Sequence, residues 1–331
     1  MGLVKKTVRR WASRLRQPAP DARRGSAVAE VRATLDAQWG SAAAEVRTML
    51  DAQWERVPDS PWLRPRVDKG TQTLLRLAYQ DLLREGKPLP RLDEVGFRAF
   101  SQFDEDGILL YLFSLLGVAH KTSVEICAGV GYECNTANLI INHAWDGLLV
   151  DGNPENVRIA NAFYARYPDT FWRRPTIIQA WVDAETINDR ISENGFSGEI
   201  DLFSLDMDGV DFWIWKAITC VNPRVVVVEF NDCIPADVSV AVPYDRSFVV
   251  TDLKPGYLNA SLAAWVKLGR EKGYRLVGIN RNAVNAFFVR DDLRPDLVPE
   301  VSAASCLDDR FTRAKSARWA ATMCAWEWVT I

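Results

Sequence analysis

Acidic and amide side chains stand at the ends of two apolar runs of this chain. Asp206-Met207-Asp208-Gly209 closes EIDLFSLDMDG, and Glu229, Asn231 and Asp232 close PRVVVVEFND. Short apolar runs of this kind read as buried parallel strands, whose carboxyl-terminal ends converge on the crevice where open α/β sheets bind ligands. Several oxygen ligands gathered there suit Mg²⁺ or a similar hard cation. Held by Asp206, Glu229, Asn231 and Asp232, such an ion would bind two substrate oxygens and lower the pKa of a hydroxyl, with Asp206 and Asp208 as the catalytic carboxylates. The same residues would also serve as helix caps and a turn with no metal at all, and the sequence leaves the two readings level.

A second group surrounds VEICAGVGYECN, with Glu125 in a strand and Gly129 and Gly131 in the turn after it. Glycines there let the backbone approach a ligand, and Asp151, 20 residues after Gly131, stands where ribose hydroxyls are held. A nucleoside-bearing cofactor fits. The third glycine of the dinucleotide fingerprint is replaced by Cys134, which weakens NAD or FAD, whose pyrophosphate needs a close helix approach, and favours S-adenosylmethionine (SAM). An NAD-dependent oxidoreductase is the rival reading, and a non-catalytic scaffold retaining the fold is another. The two histidines, His120 and His143, fall on the opposite side of the sheet, so proton removal passes to a carboxylate, to a metal or to a loop residue.

These groups need a scaffold. The runs SVEICAG, GLLVDGN, PTIIQAW, EIDLFSLDMDG and PRVVVVEFND alternate with helical segments, which predicts a doubly wound, mostly parallel sheet. YRLVGI and NAFFVR follow, joined by a turn too short for a parallel crossover, so an antiparallel hairpin closes the sheet. Between strand five and the hairpin helix lies a long loop, 233–261, read as the acceptor lid. Its Tyr244, Asp245, Arg246, Tyr257 and Asn259 are candidate substrate contacts for a polar, hydroxyl-rich acceptor, and a plain surface excursion is the alternative. Phe212, Trp213 and Trp215 sit at helical spacing and read as core.

The stretches SQFDEDGILLYLF (101–113), VEICAGVGYECNTANLI (124–140), WDGLLVDGNPENV (145–157), LDMDG (205–209), VVVVEFN (225–231) and GYRLVGINRNAVNAFFVRDDL (273–293) resemble, in order, the FkbM-like group of class I methyltransferases. The resemblance implies a Rossmann-like α/β fold with a seven-stranded sheet. It implies SAM as cofactor, with Glu125, Gly129 and Gly131 lining its methionine side, Asp151 holding the ribose and Asp183 reaching the adenine. Gln102 and Asn153, in the first and third stretches, join that cofactor set. Cys127 and Ala128 depart from the Gly-Ala often found in the group. The activity implied is O-methylation of a hydroxyl on a saccharide or glycosylated metabolite, with Mg²⁺ assistance as an open option.

Length and charge bound the rest. The 331 residues, 48% hydrophobic and 25% charged, suffice for one large domain with appendages. The organisation reads as a basic tail (1–25), a helical tandem repeat (26–57), a linker and helix (58–94), a methyltransferase domain (95–293) and a helical C-terminal tail (294–331). Residues 1–25 carry a net charge of +7, leaving −10 for the remainder, and an acidic body argues against bulk nucleic-acid binding. The tail's cations, interleaved with apolar residues, suit either peripheral membrane contact or a frayed arm. SAVAEVRATLDAQWG and SAAAEVRTMLDAQWE match at 11 of 15 positions, so one long helix would carry a winding apolar seam for a homo-oligomer or for the body, unless the repeat is only a spacer. Six cysteines without C-x-x-C spacing, no membrane-length apolar run and no secretory signal predict a cytoplasmic protein.

Overall fold

The apolar runs build the expected sheet. Five strands run parallel: β1 (Thr122–Ile126), β2 (Asp146–Asp151), β3 (Thr176–Gln179), β4 (Gly198–Leu205) and β5 (Val221–Glu229). A two-residue strand, β6 (Val240–Ala241), lies outside this sheet, and the hairpin β7 (Tyr274–Ile279) and β8 (Asn285–Arg290) closes one edge antiparallel. The order β3-β2-β1-β4-β5-β8-β7 is that of the Rossmann-like class I methyltransferase fold. The computed structural model describes residues 67–250, 254 and 256–331; the basic tail, the tandem repeat and the proline linker before residue 67 lie outside them.

Strand alternation sorts apolar from polar side chains. Val124, Ile126, Val226 and Val228 share one core with α5 (Ile187–Ser192), α6 (Asp211–Ala217) and α7 (Leu262–Glu271). Trp215 of α6 sits at its centre, 5.5 Å from Phe288 and 5.7 Å from Trp265 between ring centroids, as the helical spacing predicts. Glu125 and Glu229 point to the opposite face, because successive strand side chains alternate. Helices α1 (Lys69–Arg84), α2 (Glu105–Leu116), α3 (Ala137–His143) and α4 (Pro154–Arg166) complete the parallel-sheet layers. Gly86, at φ +63°, follows the end of α1, where a left-handed residue ends a helix.

A buried polar network ties α1 to α3. Gln72 donates to Asn138 Oδ1 (3.0 Å) and accepts from Asn138 Nδ2 (3.0 Å), and His143 Nε2 lies 2.7 Å from Gln72 Oε1. The acceptor on Gln72 makes His143 Nε2 the donor of this bond. Burial, then Lys69, Arg76 and Lys121, push its pKa down to about 4. Between about pH 6.5 and 4 the unfolded chain takes up a proton that the folded protein refuses, so stability falls as pH falls through that window. The slope approaches roughly 1.4 kcal/mol per pH unit at its steepest. Unfolding free energies at pH 7 and pH 5 should differ less in His143→Gln than in the parent; an equal difference would place the titration elsewhere.

The C-terminal segment is more than a helical appendage. After α8 (Ala303–Cys306) and α9 (Arg310–Ala321), the chain forms β9 (Val329–Thr330), which pairs antiparallel with β6 inside the long loop. Trp328 packs 5.0 Å from Tyr257 and 5.5 Å from Trp319, and Trp326 packs 5.6 Å from Tyr257. Residues 67–94 and 294–331 fall in the same compact unit as the central domain. All six cysteines are free, and no helix among the described residues is long and apolar enough to cross a membrane.

Candidate active site

The turn after β1 is held to β2 by the Ala128 N–H, which donates to the Val150 carbonyl at 3.0 Å. Gly129 (φ +56°) and Gly131 (φ +78°) both occupy the left-handed region. A Cβ on Gly131 would lie 2.7 Å from Ala160 Cβ, so this glycine lets α4 pack against the turn. A Cβ on Gly129 would meet nothing within 4 Å, so its backbone borders open space. Asp151, at the end of β2, accepts from Gly129 N (2.8 Å), Asn153 N (2.8 Å) and Asn156 Nδ2 (3.1 Å). A carboxylate offers about four acceptor sites, so about one is left for a ligand hydroxyl.

Several expected ligand contacts are already engaged within the protein. Glu125 accepts from Asn135 N (2.9 Å), Thr136 N (2.8 Å), Thr136 Oγ1 (2.5 Å) and Ser204 Oγ (3.2 Å). Its acceptor sites are engaged by these donors, and it anchors the approach to α3. Asp183 accepts from Thr186 N (2.8 Å), Thr186 Oγ1 (2.6 Å) and Arg246 Nη2 (2.6 Å). Burial raises its pKa, but the Thr186 bonds and Arg246 outweigh that and leave it below the usual value. Asn153 caps α4 through Glu155 N (2.9 Å), and Gln102 is exposed in the loop before α2. A residue not singled out in the sequence lies beside Asp151: a Cβ on Gly152 would sit 3.2 Å from Trp181 Cε3. The Trp181 indole is 57% exposed and donates to the Arg246 carbonyl at 2.9 Å. Its place at the end of PTIIQAW was the available signal.

Carboxylates from β4 and β5 gather next to this turn. Asp206, Asp208 and Glu229 each offer an oxygen within 4.8 Å of the others. The loop that carries the aspartates is built by Asp211, which accepts from Met207 N (2.8 Å) and Gly209 N (2.9 Å) and leaves Asp208 at φ +55°. Asn259 joins the two acidic segments: its Oδ1 accepts from Gly209 N (3.0 Å), and its Nδ2 donates to Glu229. Burial, then Asp211, Asp208 and Glu125, raise the Asp206 pKa, and burial followed by Asp206 raises that of Glu229. Cys127 sits between the two groups, where burial and then Asp211, Asp151, Asp206 and Asp208 push its thiol up, keeping it protonated at neutral pH.

Two residues of the expected metal set have partners elsewhere in the protein. Asn231 donates to the Gly256 and Leu258 carbonyls (2.8 and 3.0 Å) and accepts from Cys233 N (3.2 Å), so its side chain is spent on the loop. Asp232 pairs with Lys315 of α9. Asp208 is the third carboxylate of the cluster with Asp206 and Glu229.

The five expected substrate contacts each have partners within the protein. Tyr244 bonds Ala184 N (3.0 Å) and Glu185 (2.5 Å), and Arg246 bonds Asp183, so this part of the loop reaches across to the segment after β3. Asp245 holds a local turn through Ser247 N (2.8 Å). Tyr257 packs on the tail, and Asn259 is fully buried.

No family model and no curated protein matches this chain. Among solved structures it is similar to magnesium protoporphyrin IX methyltransferase from Synechocystis PCC 6803 with bound SAM, at 12% identity over 56% of this chain and 77% of that one, with a TM-score of 0.36. A glycopeptide N-methyltransferase complexed with sinefungin is 10% identical over 55% of this chain and 85% of that one, with a TM-score of 0.35. The methyltransferase domain of bacterial CtHen1-C is 13% identical over 55% of this chain and 94% of that one, with a TM-score of 0.36. At these scores the likeness carries no argument about chemistry, which rests on the residues above.

Proposed function

We propose that this chain is a SAM-dependent methyltransferase that methylates oxygen, with a hydroxyl-rich acceptor such as a saccharide or glycosylated metabolite, assisted by a divalent cation. The observation that carries this reading is the adjacency of two groups on one rim: the open glycine turn with Asp151, and the carboxylates of Asp206, Asp208 and Glu229, with Cys127 between them. The residues fit the cofactor. The open space at Gly129 would take its main chain, the remaining acceptor site of Asp151 a ribose hydroxyl, and the exposed face of Trp181 the base, since base-on-aromatic stacking contributes about 1–3 kcal/mol. When bound, SAM supplies an electrophilic methyl group on a sulfonium.

Oxygen is the favoured acceptor because the rim offers groups that can take a proton. The acceptor hydroxyl would pass its proton to a carboxylate of this rim, Asp206 or Glu229. A divalent cation on these oxygens would offset their mutual repulsion and acidify a hydroxyl. Asp211 and Asn259 hold both acidic segments in place throughout. The Cys127 thiol, held neutral, is not a competing nucleophile.

Calorimetry on the full chain tests the cofactor. SAM and S-adenosylhomocysteine should bind and NAD should not; NAD binding without SAM binding would replace the reading with an oxidoreductase. Chelation should then remove turnover and leave SAM affinity unchanged, whereas full turnover in chelator would remove the cation and keep methyl transfer.

A further inference from the structure

Strand register places one more oxygen beside the carboxylates. Asn285 of β8 lies directly opposite Glu229 of β5. The next pair outward carries the cross-strand bond, from Phe230 N to the Val284 carbonyl at 3.0 Å. The Asn285 N–H bonds Asn280 Oδ1 (3.0 Å), and the Glu229 carbonyl accepts from Trp265 Nε1 (3.1 Å). Glu229 and Asn285 are therefore a non-hydrogen-bonded antiparallel pair, the kind whose side chains stand closest and on the same face.

The orientation of the Asn285 amide is fixed as well. Glu105 Oε1 accepts from Asn285 Nδ2 (3.0 Å) and from Asn280 Nδ2 (2.8 Å), so the nitrogen faces α2 and the oxygen turns away from it. Asn285 is 3% exposed, and its Oδ1 has no hydrogen-bond partner. A buried amide oxygen without a donor, next to a cluster of carboxylates, lacks a positive partner. Hard divalent cations collect carboxylate and amide carbonyl oxygens together.

We propose that Asn285 Oδ1 is a ligand to a divalent cation shared with Asp206, Asp208 and Glu229. The site then draws on β8 as well as on the loops after β4 and β5. This rests on the cation in the function proposed above, and adds a ligand from a strand that the acidic motifs do not include.

Mn²⁺ titration of the full chain, followed by the electron paramagnetic resonance signal of the free ion, tests it. The parent should bind Mn²⁺, and Asn285→Ala should weaken binding at least about tenfold, the loss of one oxygen ligand. A folded Asn285→Ala that binds like the parent would overturn the proposal. If that variant does not fold, the paired exchange Glu105→Gln with Asn285→Asp keeps a donor–acceptor contact between the two positions and turns the neutral oxygen into a carboxylate. It should bind Mn²⁺ more tightly than the parent, and equal or weaker binding counts against Asn285. A parent that takes up no Mn²⁺ overturns both the cation and the role of Asn285, while the separate SAM titration still decides methyl transfer.

Discussion

Exchange of Asp206 for Asn is expected to lower methyl transfer by about 10²–10⁴-fold, the range that a positioned acid or base contributes. The amide is nearly the same shape, so the loop held by Asp211 and Asn259 should keep its form. What is lost is one carboxylate of the cluster with Asp208 and Glu229, and with it, under the proposed function, a proton acceptor and a charged oxygen for the cation. SAM affinity should stay within about threefold of the parent, because an interaction made only in the reacting complex lowers turnover without weakening the ground state. The measurement is the rate of S-adenosylhomocysteine release with a responsive hydroxylated acceptor, beside a SAM titration of the same variant. Undiminished turnover in a folded Asp206→Asn protein would move the chemistry away from the end of β4.

Asp151→Ala should act on cofactor and fold together. Three donors lose their acceptor: Gly129 N, Asn153 N and Asn156 Nδ2. Leaving a buried donor unpaired costs about 1–3 kcal/mol, so the unfolding midpoint should drop. The lost ribose bond, charge-assisted and worth about 1.5–3 kcal/mol, corresponds to a roughly 10- to 100-fold weaker SAM affinity. Denaturant unfolding and calorimetry on one preparation read both effects. Weaker stability with unchanged affinity would leave Asp151 a scaffold residue and send the ribose elsewhere.

The strands and the hairpin were legible because each is a short apolar run bounded by glycine, proline or polar turns, and the pattern needs only neighbours in sequence. Asp206 and Glu229 were legible for the same reason, since strand ends point at the crevice. The surroundings of Asn231 were not legible because the chain leaves β8 after Phe230: the Asn231 N–H bonds the Ala260 carbonyl, so the two-residue alternation stops applying there. The partners of Glu125 were not legible, because they come from the segment ten residues on, which folds back onto its oxygens. The contacts of Asn259 with Glu229 and of Asn285 with Glu105 were out of reach, since they are set by how distant elements meet. The long loop was recognised by its length, but its pairing with β9 joins residues about 90 positions apart.

The reach of Arg246 and Tyr244 across to Asp183, Glu185 and Trp181 has a thermodynamic corollary. The same stretch runs on to Phe248, 2.9 Å from where a Cβ on Gly209 would lie in the loop of Asp206 and Asp208, so under the proposed function any free energy that a ligand at Trp181 spends on shifting it would be felt at the carboxylates. Linkage makes the exchange symmetric: the factor by which a filled base side changes acceptor affinity must equal the factor by which acceptor changes cofactor affinity.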